Sequence, residues 1–187
     1  MRKHARLGTV LAVALASLAA AAHAEGPADQ QVTTQSWQAK IPGDWKQVTR
    51  RKYSGDERIG RWVYESPNGN LRLRVNVAAD TGGAFADHHK TTLARMTEKA
   101  DETRILKEEV AGDYSYVLLK GTMLRKNFMN RYFIYRMLSR NTEDKLLITV
   151  TLLGTEQKLD GFNDLVGRIV GSFEPVKKPA KTPAKGR

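Results

Sequence analysis

Three apolar, β-rich runs follow one another at residues 114–124, 131–138 and 145–153, and this stretch constrains the fold more than any other. The breaks between them are Arg125-Lys126-Asn127 and residues 139–144. Parallel neighbours need a crossover of a dozen residues or more, so connections this short force an antiparallel meander onto which everything else must dock. Upstream, residues 58–65 and 71–78 flank Ser66-Pro67-Asn68-Gly69-Asn70, where Asn-Gly supplies the positive φ angles of a tight hairpin turn.

Two segments carry helical spacing. Residues 84–102 place Phe85, His89, Leu93, Met96 and Ala100 on one stripe, with Arg95 and Lys99 opposite. Toward the end of the chain, Leu159, Phe162, Leu165, Val166, Ile169, Val170 and Phe173 recur every three or four residues, a face that can seal against a sheet. Residues 36–41 alternate as a short strand before the turn Pro42-Gly43-Asp44. Residues 45–53 are extended but irregular and carry Arg50-Arg51-Lys52, as an edge strand does. Residues 104–110 add a strand closed by Gly112-Asp113. The expected architecture is α+β, an antiparallel sheet of about seven or eight strands packed against two main helices.

The 187-residue chain opens with Arg2, Lys3 and Arg6, an uncharged stretch rich in Leu, Val and Ala, and Ala22-His23-Ala24. This is the three-part pattern of a secretory signal, with cleavage expected between Ala24 and Glu25. The apolar stretch is shorter than the roughly 20 residues of a spanning helix. Cysteine is absent, which excludes disulfide staples and a lipidated cysteine after the signal, so an ordinary apolar core must hold the domain. The expected organisation is a signal peptide at 1–24, a flexible leader at 25–35, one domain at 36–175 and a disordered Lys/Pro tail at 176–187. Its destination is then the periplasm or the medium.

Losing Arg2, Lys3 and Arg6 with the signal takes the formal charge from +11 to +8. Five further cations, Lys177, Lys178, Lys181, Lys185 and Arg187, sit in the tail, leaving the domain too weakly basic to argue for nucleic acid. A cationic tail suits weak contact with an anionic membrane surface, and it equally suits plain solubility.

Ile41-Pro42-Gly43-Asp44-Trp45 near the start and Ile169-Val170-Gly171-Ser172-Phe173 at the end frame a hairpin, a helix, a meander and a closing helix. In these motifs and this order the chain resembles the PsbP/Mog-like superfamily, which includes the bacterial DcrB-like envelope proteins. The resemblance implies an antiparallel sheet packed on helices and used for binding proteins or ligands, without catalysis. It transfers no binding residue, because the matched positions, Trp45 and Phe173 among them, are packing positions.

No cofactor, metal or catalytic motif stands out. His88 and His89 adjoin on a helix with Asp80 and Asp87 nearby, but adjacent helical side chains diverge by about 100°. His89 also lies in the apolar stripe, as a core histidine does. Glu108-Glu109, Glu143-Asp144, Ser139 and Ser172 have no base beside them in sequence. One surface attracts more interest: Arg72 and Arg74 alternate with Leu71, Leu73 and Val75, so one sheet face is basic. Arg61, Arg136, Trp62, Tyr64, Tyr132 and Tyr135 are expected to extend it, giving a candidate ligand site at Arg61, Trp62, Arg72, Arg74, Tyr135 and Arg136. Guanidinium forks and aromatic planes suit anionic or carbohydrate-like ligands. A solvated face with cross-strand pairs is the plainer use. The function that fits is an exported, non-enzymatic binding or accessory protein whose partner is a protein or an anionic envelope ligand. An envelope hydrolase and an inhibitor or immunity-type protein are the alternatives.

Overall fold

The computed structural model describes residues 28–53, 55–98, 102–125, 128–155 and 159–176; the expected signal at 1–24 and all of the expected tail but Val176 lie outside them. The elements in chain order are β1 (Asp29–Thr33), β2 (Trp37–Pro42), β3 (Lys46–Lys52), β4 (Gly60–Glu65), β5 (Leu71–Ala79) and α1 (Phe85–Thr97). They continue with β6 (Glu102–Ala111), β7 (Tyr114–Arg125), β8 (Phe128–Asn141), β9 (Leu146–Thr155), α2 (Leu159–Gly171) and β10 (Glu174–Pro175). The class is α+β and strand-rich. A seven-stranded antiparallel sheet runs β3-β4-β5-β9-β8-β7-β6, and a three-stranded one runs β1-β2-β10.

The meander forms as β7, β8 and β9, with β6 added at its outer edge. The hairpin β4-β5 joins it through β5 against β9. In the hairpin turn only Gly69 has positive φ, at 72°. Asn68 instead works through its side chain, whose Oδ1 accepts from the Ser66 hydroxyl at 2.7 Å and the Asn70 N–H at 3.1 Å.

Alternation gives the large sheet two unlike faces. On the first, Trp62, Leu73, Val75, Val150, Leu152 and Met137 build the main core, covered by β2 and by Phe162, Leu165 and Ile169 of α2. On the second, α1 covers only the β6-β7-β8 side, where Leu93 and Met96 pack on Val117, Leu119 and Tyr132. Among the described residues, no helix covers the part of that face over β3, β4 and β5. α1 ends at Thr97, earlier than its apolar spacing suggested, and Ala100 lies outside the described residues.

The leader is corrected: residues 29–33 form β1, paired along its length with β2. Its polar sequence hid it, because the pairing is fixed by hydrogen bonds as much as by burial. The Gln30 amide donates to the Pro42 and Trp45 carbonyls at 3.1 and 2.9 Å, and the Thr34 hydroxyl accepts from the Ser36 and Trp37 N–H groups. At the other end, the Ser172 hydroxyl accepts from the Lys40 N–H at 2.8 Å and donates to the Ile169 carbonyl at 2.9 Å, tying the end of α2 to β2.

Candidate functional site

The open face over β4 and β5 gathers four of the six expected site residues. Register pairs Arg51 with Arg61, Arg61 with Asn76, and Glu65 with Arg72 across neighbouring strands. Arg74 and Arg136 both pair with Thr151 of the intervening β9, one from each side. Arg61, Arg72, Arg74 and Arg136 therefore project from one face in adjacent rows. Trp62 and Tyr135 are not brought to it. Each sits one residue from an arginine in its strand and so points to the opposite face, into the core, at 3% and 7% exposure. Tyr64 is in the same core, and Tyr132 shares the arginine face but is buried beneath α1.

A shallow depression of about 350 Å³ lies on the open face, lined by Arg51, Arg61, Arg72, Arg74 and Glu65 with Val48, Thr49 and Val63. Its charges are unevenly matched. Arg72 pairs with Glu65. The Arg61 Nε–H donates to Asn76 Oδ1 at 2.8 Å, a neutral partner, and the Arg136 Nε–H donates to Thr151 Oγ1 at 3.0 Å, another. Arg74 Nε is buried with no hydrogen-bond partner. Burial, then the nearby Arg61 and Arg72 charges, lower the Arg74 pKa from its ordinary value. Burial and the Arg74 charge bring Arg136 down to about 10. Half-buried cations beside other cations are poised to accept an anion, since a carboxylate or phosphate takes two parallel N–H donors from a guanidinium fork.

A polar cluster that sequence spacing could not reveal lies under α1. His89, 5% exposed, is hydrogen-bonded through Nδ1 to Ser115 Oγ at 2.9 Å and through Nε2 to Glu108 Oε1 at 2.7 Å. The three residues come from α1, β7 and β6. The set has the composition of a hydrolytic triad, but the Ser115 side chain lies in a residue with 0% exposure, so substrate has no approach to its hydroxyl. It anchors the helix to the sheet. His88 faces the other way, its Nε2 2.9 Å from the Gly82 carbonyl oxygen. Among the described residues no group of three His, Asp or Glu converges as metal ligands would, and no helix is long and apolar enough to cross a membrane.

No protein-family model matches this chain, and no curated protein resembles it in sequence. Solved structures do. The chain is similar to the Ran-binding protein Mog1p of Saccharomyces cerevisiae, with a TM-score of 0.58 at 13% identity over 80% of this chain and 96% of that one. It is also similar to LpqN of Mycobacterium tuberculosis, a protein involved in cell envelope biogenesis, with a TM-score of 0.50 at 11% identity over 80% of this chain and 91% of that one. The likeness is one of fold, and it agrees with the resemblance carried by the two end motifs.

Proposed function

We propose that this chain is an exported, non-enzymatic binding or accessory protein of the bacterial envelope that receives an anionic ligand, or the anionic part of a protein partner, on the arginine face of its large sheet. The observation that carries the reading is Arg74, whose Nε is buried without a partner among Arg61, Arg72 and Arg136. A buried guanidinium N–H without an acceptor on a half-buried cation is costly, and an arriving carboxylate or phosphate offsets that cost by supplying the missing acceptor. The neighbours in fold support a binding role, one being Ran-binding and the other involved in cell envelope biogenesis. For the envelope itself the support is the signal-like start of the sequence, and amino-terminal sequencing of the expressed protein should read from Glu25.

The test of the site is a titration with inorganic phosphate followed by thermal unfolding. Wild-type protein should be stabilised saturably by mass action, and Arg74→Met should lose the response while remaining folded. Equal responses from the two proteins, or none from either, would overturn the assignment.

A further inference from the structure

We infer that β3 is a docking edge for an extended, acidic segment of a protein partner, which adds to the large sheet as an eighth strand beside the arginine face. The inference rests on the basic face described above and goes beyond it by naming how the partner is held. β3 is the terminal strand of its sheet and pairs with β4 alone among the described residues, so alternate backbone N–H and C=O groups along it face outward.

Its side chains set what can pair there. Lys46, Arg50, Arg51 and Lys52 are its charged residues, and every one is a cation. The opposite edge, β6, mixes Glu102, Glu108 and Glu109 with Arg104 and Lys107. Edge lysines and arginines ordinarily repel like strands, and the same charges attract a strand rich in carboxylates. Side chains of an added strand alternate between the two faces, about 5 Å from those of β3. On one face they meet Arg51, with Arg61 behind it, and on the other Arg50 and Lys52, which now share Glu57. Carboxylates are thus favoured on both sides.

Two exposed apolar side chains, one within β3 and one just past it, border its basic stretch. Val48 and Tyr53 stand 50% and 52% exposed, and β3 shifts register between Gln47 and Thr49, which places Val48 at a bulge. Five residue steps of extended chain, about 17 Å, run from one to the other, so the fitting segment carries apolar side chains at its two ends and acids between, over about six residues. Main-chain pairing supplies the affinity and these alternating contacts the selectivity.

The experiment measures fluorescence anisotropy of a labelled Val-Glu-Thr-Glu-Glu-Leu peptide against its twin N-methylated at alternate amides, which keeps every charge but cannot form the edge hydrogen bonds. Wild-type protein should bind the parent peptide saturably and the twin about tenfold more weakly or worse. Arg50→Gln/Lys52→Gln, which removes both cations at exposed positions without setting like charges beside Glu57, should lose about tenfold for the parent peptide while staying folded, with at most a small fall in melting temperature. Equal binding of the two peptides, equal binding by the double variant, or no saturable binding would overturn the inference. The phosphate response reads the arginine face and the N-methyl contrast reads the β3 backbone, so one can fail without the other.

Discussion

The Phe173 ring stacks on Trp37 with centroids 5.7 Å apart and planes at 15°. This contact joins the second residue past α2 to the first residue of β2. Trp37 in turn meets Trp62 and Tyr64 of the large sheet edge-on, at 5.8 and 6.4 Å. Through one ring, the small sheet, the end of α2 and the large sheet share a single packing node, which gives the closing motif Ser172-Phe173 a physical reason.

Trp37 is fully buried, so Trp37→Ala should destabilise the domain by about 3–5 kcal/mol, transfer and cavity terms together. Phe173→Leu keeps apolar bulk and loses chiefly the stacking geometry, so about 1 kcal/mol is expected. Urea denaturation measures both, and equal losses would show that the ring plane matters as much as the buried volume.

Gly154 lies directly beneath Phe162. A methyl group on Gly154 would stand 2.8 Å from the Phe162 ring and 3.1 Å from Leu71 Cδ2, closer than packed carbons allow. Gly154→Ala should therefore cost about 1–3 kcal/mol by overpacking. Phe162→Ala should cost about 3–5 kcal/mol as the cavity opens. Combining them should cost clearly less than the sum, since each relieves the fault of the other. Additivity in a double-mutant cycle would mean that α2 does not rest on β9 at this point.

The order of hairpin, helix, meander and helix was legible because period-two and 3.6-residue apolar patterns report burial directly. β1 was not, since Asp29-Gln30-Gln31-Val32-Thr33 has little apolar pattern and owes its strand state to pairing and to the Gln30 amide. The basic face was legible in Arg72 and Arg74, yet Trp62 and Tyr135 do not join it. Each adjoins an arginine in the same strand, so alternation alone separates Arg61 from Trp62 and Tyr135 from Arg136. The His89, Ser115 and Glu108 cluster depends on how α1 lies across β6 and β7, and no spacing within the chain encodes that.

That cluster makes its own prediction. His89→Ala leaves the fully buried Ser115 hydroxyl without its partner, and the cost should be about 1–3 kcal/mol. Ser115→Ala in the His89→Ala background should add little, because the orphaned group is gone. Guanidinium denaturation of the two single variants and the double variant checks this. A full additional loss would show that the hydroxyl is satisfied elsewhere.

Arg136 gives the arginine face a pH limit. Burial, followed by the charge of Arg74, lowers its pKa to about 10. For stability the sign is positive with rising pH: between about 10 and its ordinary value the folded chain has released a proton that the unfolded chain still holds, so the cost of the buried charge is relieved. For anion binding the sign is opposite, because the charge lost there is the charge that attracts the ligand. Sulfate is the suitable probe, since its own charge is constant across this range. Its affinity should hold steady from neutral pH and fall as the pH passes through about 10. Calorimetric titration over a pH series reads the inflection, and lysine titration adds a background slope common to every variant. In Arg136→Met the affinity should be lower at neutral pH and the inflection near 10 should be absent. An inflection of the same size in that variant would assign the titration to another group and remove Arg136 from the site.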